Sequence, residues 1–159
     1  MQEHLIIDGN NALHAIPQLA KTLERDRQTA REDLVHMLEP LQTREGCLLT
    51  VVFDGRGGKT ALTKHRGNEE YSIIYSSSSQ GADGVIERML IAAEFPERIT
   101  VGTNDNLIRN CAYTHGAAVI RVEELIKKLD ASIEISKNLT RKVERLEEKF
   151  ENRIPFPDL

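Results

Sequence analysis

The segment from Cys47 to Phe53 constrains the fold more than any other part of the chain. It is an almost unbroken apolar run between Gly46 and the pair Asp54-Gly55. A strand of a parallel sheet is covered by helices on both faces, so it shows a continuous apolar run rather than an alternation of apolar and polar residues. The run therefore predicts a buried central strand and, with it, an α/β fold.

Four further segments are predicted to be strands, because each is a short apolar run that ends at turn residues. They are Leu5–Ile7, Tyr71–Tyr75, Ile99–Gly102 and Ala117–Val122. Helices are predicted between them, over 11–20 as far as Pro17 permits, 29–45, 82–95 and 104–115. Strands that alternate with helices pair in parallel through crossover connections. The chain is therefore predicted to form a doubly wound α/β sandwich around a five-stranded, mostly parallel sheet.

After Glu123 the sequence changes to one amphipathic stripe among many charged residues. Apolar residues recur every three or four positions, at Leu125, Leu129, Ile133, Leu139, Val143, Leu146 and Phe150. The stripe predicts a C-terminal helix, with Ser136–Asn138 as the place where it could break. We favour an extension of residues 131–159 docked on a domain of residues 1–130. The alternatives for oligomeric state are a monomer or a homodimer paired through this helix. The tail 154–159 contains two prolines and cannot be helical throughout.

Acidic residues follow the ends of most predicted strands. They are Asp8, Asp54, Asp83 and Asp105, with Glu87 one helical turn after Asp83. In an open parallel sheet, ligands bind at the carboxyl ends of the strands, near the point where the strand order reverses. Clustered carboxylates raise each other's pKa, and a divalent cation with a preference for oxygen ligands, Mg²⁺ or Mn²⁺, removes that conflict. Each aspartate alone could be a turn or capping residue, so only their recurrence at equivalent strand ends indicates a metal site.

Four segments carry a resemblance to a known family. They are Ile6–Asn11, Val51–Gly55, Gly81–Glu87 and Val101–Asn106. In this order and spacing they resemble the YacP-like branch of the NYN family, from residue 4 to about residue 130. The resemblance implies a PIN-like three-layer fold and a metal-dependent endoribonuclease that leaves 5′-phosphate ends.

The resemblance also implies roles for single residues. Asp8, Asp83 and Asp105 match the family's metal-binding aspartates, and Asn11 matches a polar residue that follows the first of them. These four residues are the predicted catalytic set. An ion held there would bind the scissile phosphate and activate a water molecule for in-line attack.

One position departs from the family pattern. Many relatives have a second acidic residue where Gly84 stands, and Glu87, one turn away, is a candidate replacement ligand. Asp54 is a further candidate ligand. The departure keeps open a second hypothesis, a catalytically weak RNA- or ribosome-binding protein of the same fold. A phosphate-handling enzyme of haloacid dehalogenase type is disfavoured, because that family needs a second aspartate where Asn10 stands.

The predicted RNA-binding residues lie in two places. The net charge of −4 gives no overall attraction to nucleic acid, so RNA must meet a local basic patch. The stretch 55–69, predicted as a glycine-rich loop, supplies it, with a solvated loop as the alternative. Two polar residues beside the aspartates are predicted to orient a carboxylate or a phosphate, or to cap a turn. The full set is Arg56, Lys59, Lys64, Arg66, Thr103 and Asn104.

The sequence suggests a cytoplasmic protein that does not contact membranes. Its N-terminus lacks the pattern of a signal peptide, and no apolar run approaches the roughly 20 residues that cross a bilayer. Cys47 and Cys111 show no zinc-binding spacing and are expected to be reduced thiols.

Overall fold

One six-stranded sheet organises the computed structural model, which describes residues 2–153 apart from the side chains at 132, 135, 136 and 150–153. The strands are β1 (His4–Asp8), β2 (Leu48–Phe53), β3 (Ala61–Lys64), β4 (Tyr71–Tyr75), β5 (Ile99–Gly102) and β6 (Ala118–Ile120). Their order across the sheet is β3-β4-β2-β1-β5-β6. Neighbouring strands are parallel except for β3 and β4.

Helices cover both faces of this sheet. They are α1 (Gly9–Ala15), α2 (Pro17–Arg25), α3 (Arg27–Glu45), α4 (Gly81–Ala92), α5 (Asn106–Thr114) and α6 (Val122–Arg153). Apolar residues of α1, α2, α3 and α6 share one core with the sheet, and those of α4 and α5 share the other. Ile7 faces the first core and its neighbour Ile6 the second, as the two-residue period of a strand requires. The predicted α/β three-layer class is confirmed.

The sheet has one strand more than predicted. Within the stretch 55–69, expected to be a loop, Ala61–Lys64 forms the antiparallel edge strand β3 and His65–Gly67 a 3-10 turn. The first three residues of β3 are exposed. Backbone pairing with β4 holds this strand, so it shows no apolar pattern that could have revealed it.

Local residues explain most helix ends. Ile16 separates α1 from α2, and Pro17 takes the first position of α2, where its missing N–H costs nothing. The Asp26 carboxylate caps α3 by accepting from the backbone N–H of Gln28 at 3.0 Å. Gly46 ends that helix in the left-handed conformation (φ 61°), which glycine adopts without strain.

Helix α6 is continuous from Val122 to Arg153, so the helix does not break at 136–138, the place where the sequence allowed an interruption. Ser, Lys and Asn cost at most about 0.7 kcal/mol each in a helix, too little to interrupt it. Leu125 and Leu129 are buried in the first core, whereas Leu139, Val143 and Leu146 are exposed. The division at residue 130 falls inside this helix and stays a prediction, and the tail 154–159 lies outside the described residues.

Strand β1 lies at the point where the direction of strand addition reverses. Its connection to β2 passes through α1, α2 and α3 on one face, and its other neighbour, β5, is reached through α4 on the opposite face. This switch point opens a crevice at the carboxyl end of β1, where Asp8 lies. Among the described residues, no helix combines the length and apolarity that spanning a bilayer requires. Cys47 and Cys111 are free thiols.

Candidate active site

Three carboxylates converge at the switch-point crevice. Asp8 ends β1 and caps α1, Asp83 lies in the first turn of α4, and Asp105 follows β5 and caps α5. One oxygen from each lies within 4.8 Å of the others. The structure therefore brings together the three aspartates that the sequence analysis placed at strand ends.

Asp8 is the buried member of this trio, with 4% of its surface exposed. Its Oδ2 accepts a hydrogen bond from the Thr103 hydroxyl at 3.0 Å, and its Oδ1 accepts from the Asn11 backbone N–H at 3.4 Å. The pKa of Asp8 is raised to about 6, mainly by burial and to a smaller extent by the charges of Asp83 and Asp105, while the hydrogen bonds from Thr103 and Asn11 oppose the rise. Without a cation, this carboxylate is poorly stabilised in its charged form.

Asp83 and Asp105 complete the negative cluster. Burial first, and then the nearby charges of Asp105 and Asp54, raise the pKa of Asp83. The Asp105 carboxylate accepts from the Leu107 N–H at 2.9 Å, and the Asp105 backbone N–H donates to the Thr103 hydroxyl at 3.0 Å. The Thr103 hydroxyl thus links the two strand-end aspartates.

The pKa of Asp8 predicts a pH-dependent stability of the metal-free protein. At pH values between the ordinary pKa of an aspartate, 3.8, and about 6, the native state binds more protons than the unfolded chain. The free energy of unfolding therefore falls as pH rises through this window. Above the window the buried charge costs about 3 kcal/mol. Asp8→Asn is expected to raise the melting temperature at pH 8 in EDTA and to change it little at pH 4.

The matched control for this experiment is Asp33→Asn, which removes an exposed charge on α3. Thermal denaturation of both variants at the two pH values measures the effect. Destabilisation of Asp8→Asn at pH 8 would contradict the assignment of a costly buried charge.

The polar residues around the trio hold it in place. The Asn11 Oδ1 accepts from the Asn104 backbone N–H at 2.8 Å, which ties the start of α1 to the loop after β5. The Asn104 side chain accepts from the Val122 N–H at 2.9 Å and donates to Glu123 at 2.9 Å. Thr103 was predicted to contact RNA, but it is fully buried and cannot do so. Its hydroxyl instead donates to the Asp8 carboxylate and accepts from the Asp105 backbone N–H, which is consistent with the predicted role of orienting a carboxylate.

Asp54 and Glu87, the two further candidate ligands, lie outside the trio. Asp54 Oδ1 accepts from the Ala82 N–H at 2.7 Å, and Oδ2 accepts from the Asn10 side chain. Asp54 thereby fixes the first turn of α4 one residue before Asp83. Glu87 lies near Cys111, where its charge contributes to raising the pKa of the thiol.

Gly84 lies beside Gln80, not in open space. A Cβ at Gly84 would come within 2.8 Å of the Gln80 Cγ. A larger residue at this position would therefore require the Gln80 side chain to move. In the described part of the chain, the three-carboxylate group forms without an acidic side chain at this position.

The four predicted basic residues fall into two groups. Arg56 and Lys59 line an open cavity of about 540 Å³. Lys64 instead lies 3.6 Å from the Glu69 carboxylate, and Arg66 lies 3.6 Å from that of Glu39. Two of the predicted RNA contacts are thus engaged with protein carboxylates.

Two arginines that no sequence pattern indicated complete the positive surface. Arg27 and Arg31 line the same cavity as Arg56 and a second one of about 470 Å³, and both cavities reach Asp54. We call the surface formed by Arg27, Arg31, Arg56 and Lys59 the basic groove. The spacing of Arg27 and Arg31 places them on one helical face. The sequence does not reveal that this face turns toward the strand ends.

Arg31 is the most constrained residue of the basic groove. Its guanidinium lies 5.4 Å from the ring centres of both Phe53 and Tyr75, and it donates to the Asp54 carbonyl at 2.8 Å. Its buried Nε has no hydrogen-bond partner among the described residues. Burial, followed by the charges of Arg27 and Arg56, lowers its pKa. This cationic group is thus held beside the acidic crevice.

The donor chemistry of the trio fits a divalent cation of the Mg²⁺ or Mn²⁺ type. All three groups are carboxylates, the oxygen ligands that these ions prefer, and they come from three elements that converge on one point. A cation would also offset the burial and repulsion that raise the pKa values of Asp8 and Asp83.

The parallel sheet, its reversal at β1 and the strand-end aspartates are the features expected of a PIN-like domain. The family model described as YacP-like NYN domain matches residues 5–155. The chain belongs to this family, as the sequence resemblance indicated.

Individual relatives agree with this assignment. The YacP protein of Bacillus subtilis strain 168 is 28% identical over 151 residues, which cover 94% of this chain and 80% of that protein. The crystal structure of Rae1 (YacP) from Bacillus subtilis superimposes with a TM-score of 0.72 at 24% identity, covering 96% of this chain and 87% of the other. A tryptophan-to-leucine variant of Rae1 gives a TM-score of 0.75 at 24% identity, with coverages of 91% and 85%. The structural matches establish the shared fold.

Proposed function

We propose that this protein is a metal-dependent endoribonuclease that hydrolyses RNA phosphodiester bonds and leaves 5′-phosphate ends. The observation that carries the proposal is the convergence of Asp8, Asp83 and Asp105 within 4.8 Å in a chain of the NYN family. When bound, Mg²⁺ or Mn²⁺ supplies Lewis-acid activation of water and stabilises the charge that develops on the phosphate. We also propose that the enzyme acts in the cytoplasm.

The chain's own residues perform the positioning. The Thr103 hydroxyl orients both Asp8 and Asp105 by hydrogen bonds of 3.0 Å. Asn11 acts as a positioning residue, because its side chain fixes the backbone of Asn104 next to Asp105. Asp54 holds the first turn of α4, so that Asp83 faces the other two carboxylates.

We assign RNA backbone binding to the basic groove. It adjoins the acidic crevice through Asp54, and its charges can neutralise phosphates on either side of the bond to be cleaved. An acidic protein thereby holds a polyanion through one local surface.

The double variant Arg27→Gln, Arg56→Gln is expected to weaken binding of single-stranded RNA and to reduce the salt slope by about 1.4, since each phosphate contact on a single strand contributes about 0.7. Fluorescence anisotropy in EDTA, repeated over a range of salt concentrations, measures both quantities without cleavage. The matched control is Lys64→Gln with Arg66→Gln, which removes the same charge from residues paired with carboxylates. Equal salt slopes for the two double variants would remove the basic groove from the proposal.

A second candidate function keeps the fold and the groove but not the chemistry. Gly84, where many relatives carry an acidic residue, favours an RNA- or ribosome-binding protein with weak catalysis. The two functions differ in what they predict for RNA in the presence of a metal ion: cleavage in one case and binding alone in the other.

Incubation of the purified protein with end-labelled single-stranded RNA in Mn²⁺ tests the main proposal. We expect internal cleavage with 5′-phosphate products, abolished by EDTA and restored by excess Mn²⁺. Binding without cleavage in Mn²⁺ and in Mg²⁺ would overturn the nuclease and leave the binding protein.

A further inference from the structure

A second group of metal-ligating side chains lies away from the aspartates. His36 and Glu39 are three residues apart on α3, and His65 lies in the 3-10 turn after β3. One ligand atom from each of these residues lies within 4.8 Å of the other two. We propose that His36, Glu39 and His65 form a binding site for a transition-metal ion of the Zn²⁺ type. This inference does not rest on the nuclease function.

The geometry is close to what a zinc ion requires. Zn²⁺ takes imidazole nitrogen and carboxylate oxygen at about 2.0–2.1 Å in a tetrahedron, which separates neighbouring ligand atoms by about 3.3 Å. The His36 Nδ1 lies 3.4 Å from the Glu39 Oε1. The His65 Nε2 lies 2.5 Å from the same oxygen, so it must move away by about 0.8 Å to admit the ion.

The ligand types distinguish this site from the acidic crevice. Two imidazoles and one carboxylate suit Zn²⁺ and its neighbours among the first-row metals, whereas Mg²⁺ and Mn²⁺ prefer oxygen. The aspartate trio offers oxygen alone. The protein would therefore bind two classes of cation at two separate sites.

The site is accessible and has room for a fourth ligand. A cavity of about 190 Å³ opens beside it, lined by His36, His65 and Glu32 among others. Glu32 precedes His36 by four residues and so lies on the same face of α3. Water can occupy the remaining position. The His36 side chain is 53% exposed and that of His65 14%.

One nearby cation competes for the same carboxylate. The Arg66 Nη1 lies 3.6 Å from the Glu39 Oε1, and its side chain is 68% exposed. Because the guanidinium is largely in solvent, it can move away when an ion binds. Arg66→Gln is therefore expected to tighten zinc binding.

A bound ion would connect the two sides of the basic groove. Helix α3 carries Arg27 and Arg31, and Lys59 precedes strand β3, which leads to His65. An ion shared by α3 and the turn after β3 would hold these segments at a fixed separation. The ion would thus have a structural role, because it would join α3 to the turn after the edge strand β3. The site has no residue in common with the catalytic set.

The test measures Zn²⁺ binding by the whole chain, by competition with a chromophoric chelator and by metal content after dialysis. Co²⁺ substitution adds a spectroscopic readout, since tetrahedral cobalt absorbs intensely in the visible range. We expect the wild-type chain to bind one Zn²⁺ ion. Asp83→Asn and His14→Ala should retain it, since neither residue belongs to the cluster. We expect affinity to fall at least about tenfold in His36→Ala and in His65→Ala.

His36→Ala keeps the proposal falsifiable if His65→Ala fails to fold, because His36 is largely exposed on a helix surface. Unchanged Zn²⁺ affinity in His36→Ala would overturn the proposal. The proposal would also be overturned if Asp83→Asn lost Zn²⁺ binding while the histidine variants kept it, because the ion would then be bound by the aspartates. Failure of the wild-type chain to bind Zn²⁺ at micromolar concentrations would also overturn it.

Discussion

Asp83→Asn is expected to lower the rate of metal-dependent RNA cleavage by about a hundredfold to a thousandfold. The substitution keeps the shape of the side chain and replaces one negative oxygen with an amide group. It weakens the hold on a cation at the point where Asp8, Asp83 and Asp105 meet. Burial and neighbouring charges already raise the pKa of Asp83, so we expect that removing its charge does not destabilise the metal-free fold.

Glu87→Gln is the matched control for this prediction. It removes the same charge one turn further along α4, outside the three-carboxylate group. We expect its cleavage rate to stay close to that of the wild-type protein. Equal activity of Asp83→Asn and wild type would mean that the cleavage comes from a contaminant or from another site.

Gly55→Ala is expected to have the largest effect on stability. A Cβ at Gly55 would lie 2.1 Å from the Ser76 carbonyl oxygen, and a backbone atom cannot move aside as a side chain can. The Gly55 N–H also donates to the Ser76 hydroxyl at 3.2 Å, so displacing the two segments breaks this bond too. We expect a loss of about 3 kcal/mol, which lowers the melting temperature by about 6–12 °C.

Gly57→Ala is the control for this clash. Its Cβ would meet nothing closer than 3.8 Å, and we expect little change in melting temperature. Thermal denaturation of both variants at one pH gives the comparison. Since Gly55 lies between Asp54 and Arg56, we also expect Gly55→Ala to weaken RNA binding. Equal melting temperatures for the two alanine variants would contradict the close approach of the strand ends.

The buried strands and their terminal aspartates could be predicted because burial leaves a direct mark on composition. The predicted bounds of β4 and β5 agree with the structure, and those of β2 differ by one residue. A parallel sheet then places the ends of its strands on one edge, which brings Asp8 and Asp105 together without any knowledge of side-chain positions. This part of the site follows from topology.

The rest depends on the rotation and exposure of single elements, which sequence patterns do not specify. Strand β3 is held by backbone pairing, and its side chains carry no signal. Arg31 faces the crevice because α3 packs in one particular rotation. Thr103 is fully buried directly after β5, where its backbone N–H donates to the Ile120 carbonyl of β6. The approach of His65 to α3 depends on a turn predicted as part of a loop.

The pairing of β1 also sets when the site can arise during synthesis. Strand β1 pairs with residues 48–52 on one side and 99–102 on the other, and both of these segments are translated after it. Such long-range pairing has a high contact order and must wait for distant parts of the chain. A nascent polypeptide that has not reached Asp105 lacks both a neighbour of its central strand and one of its three carboxylates. The proposed activity can therefore begin only after most of the domain has been translated.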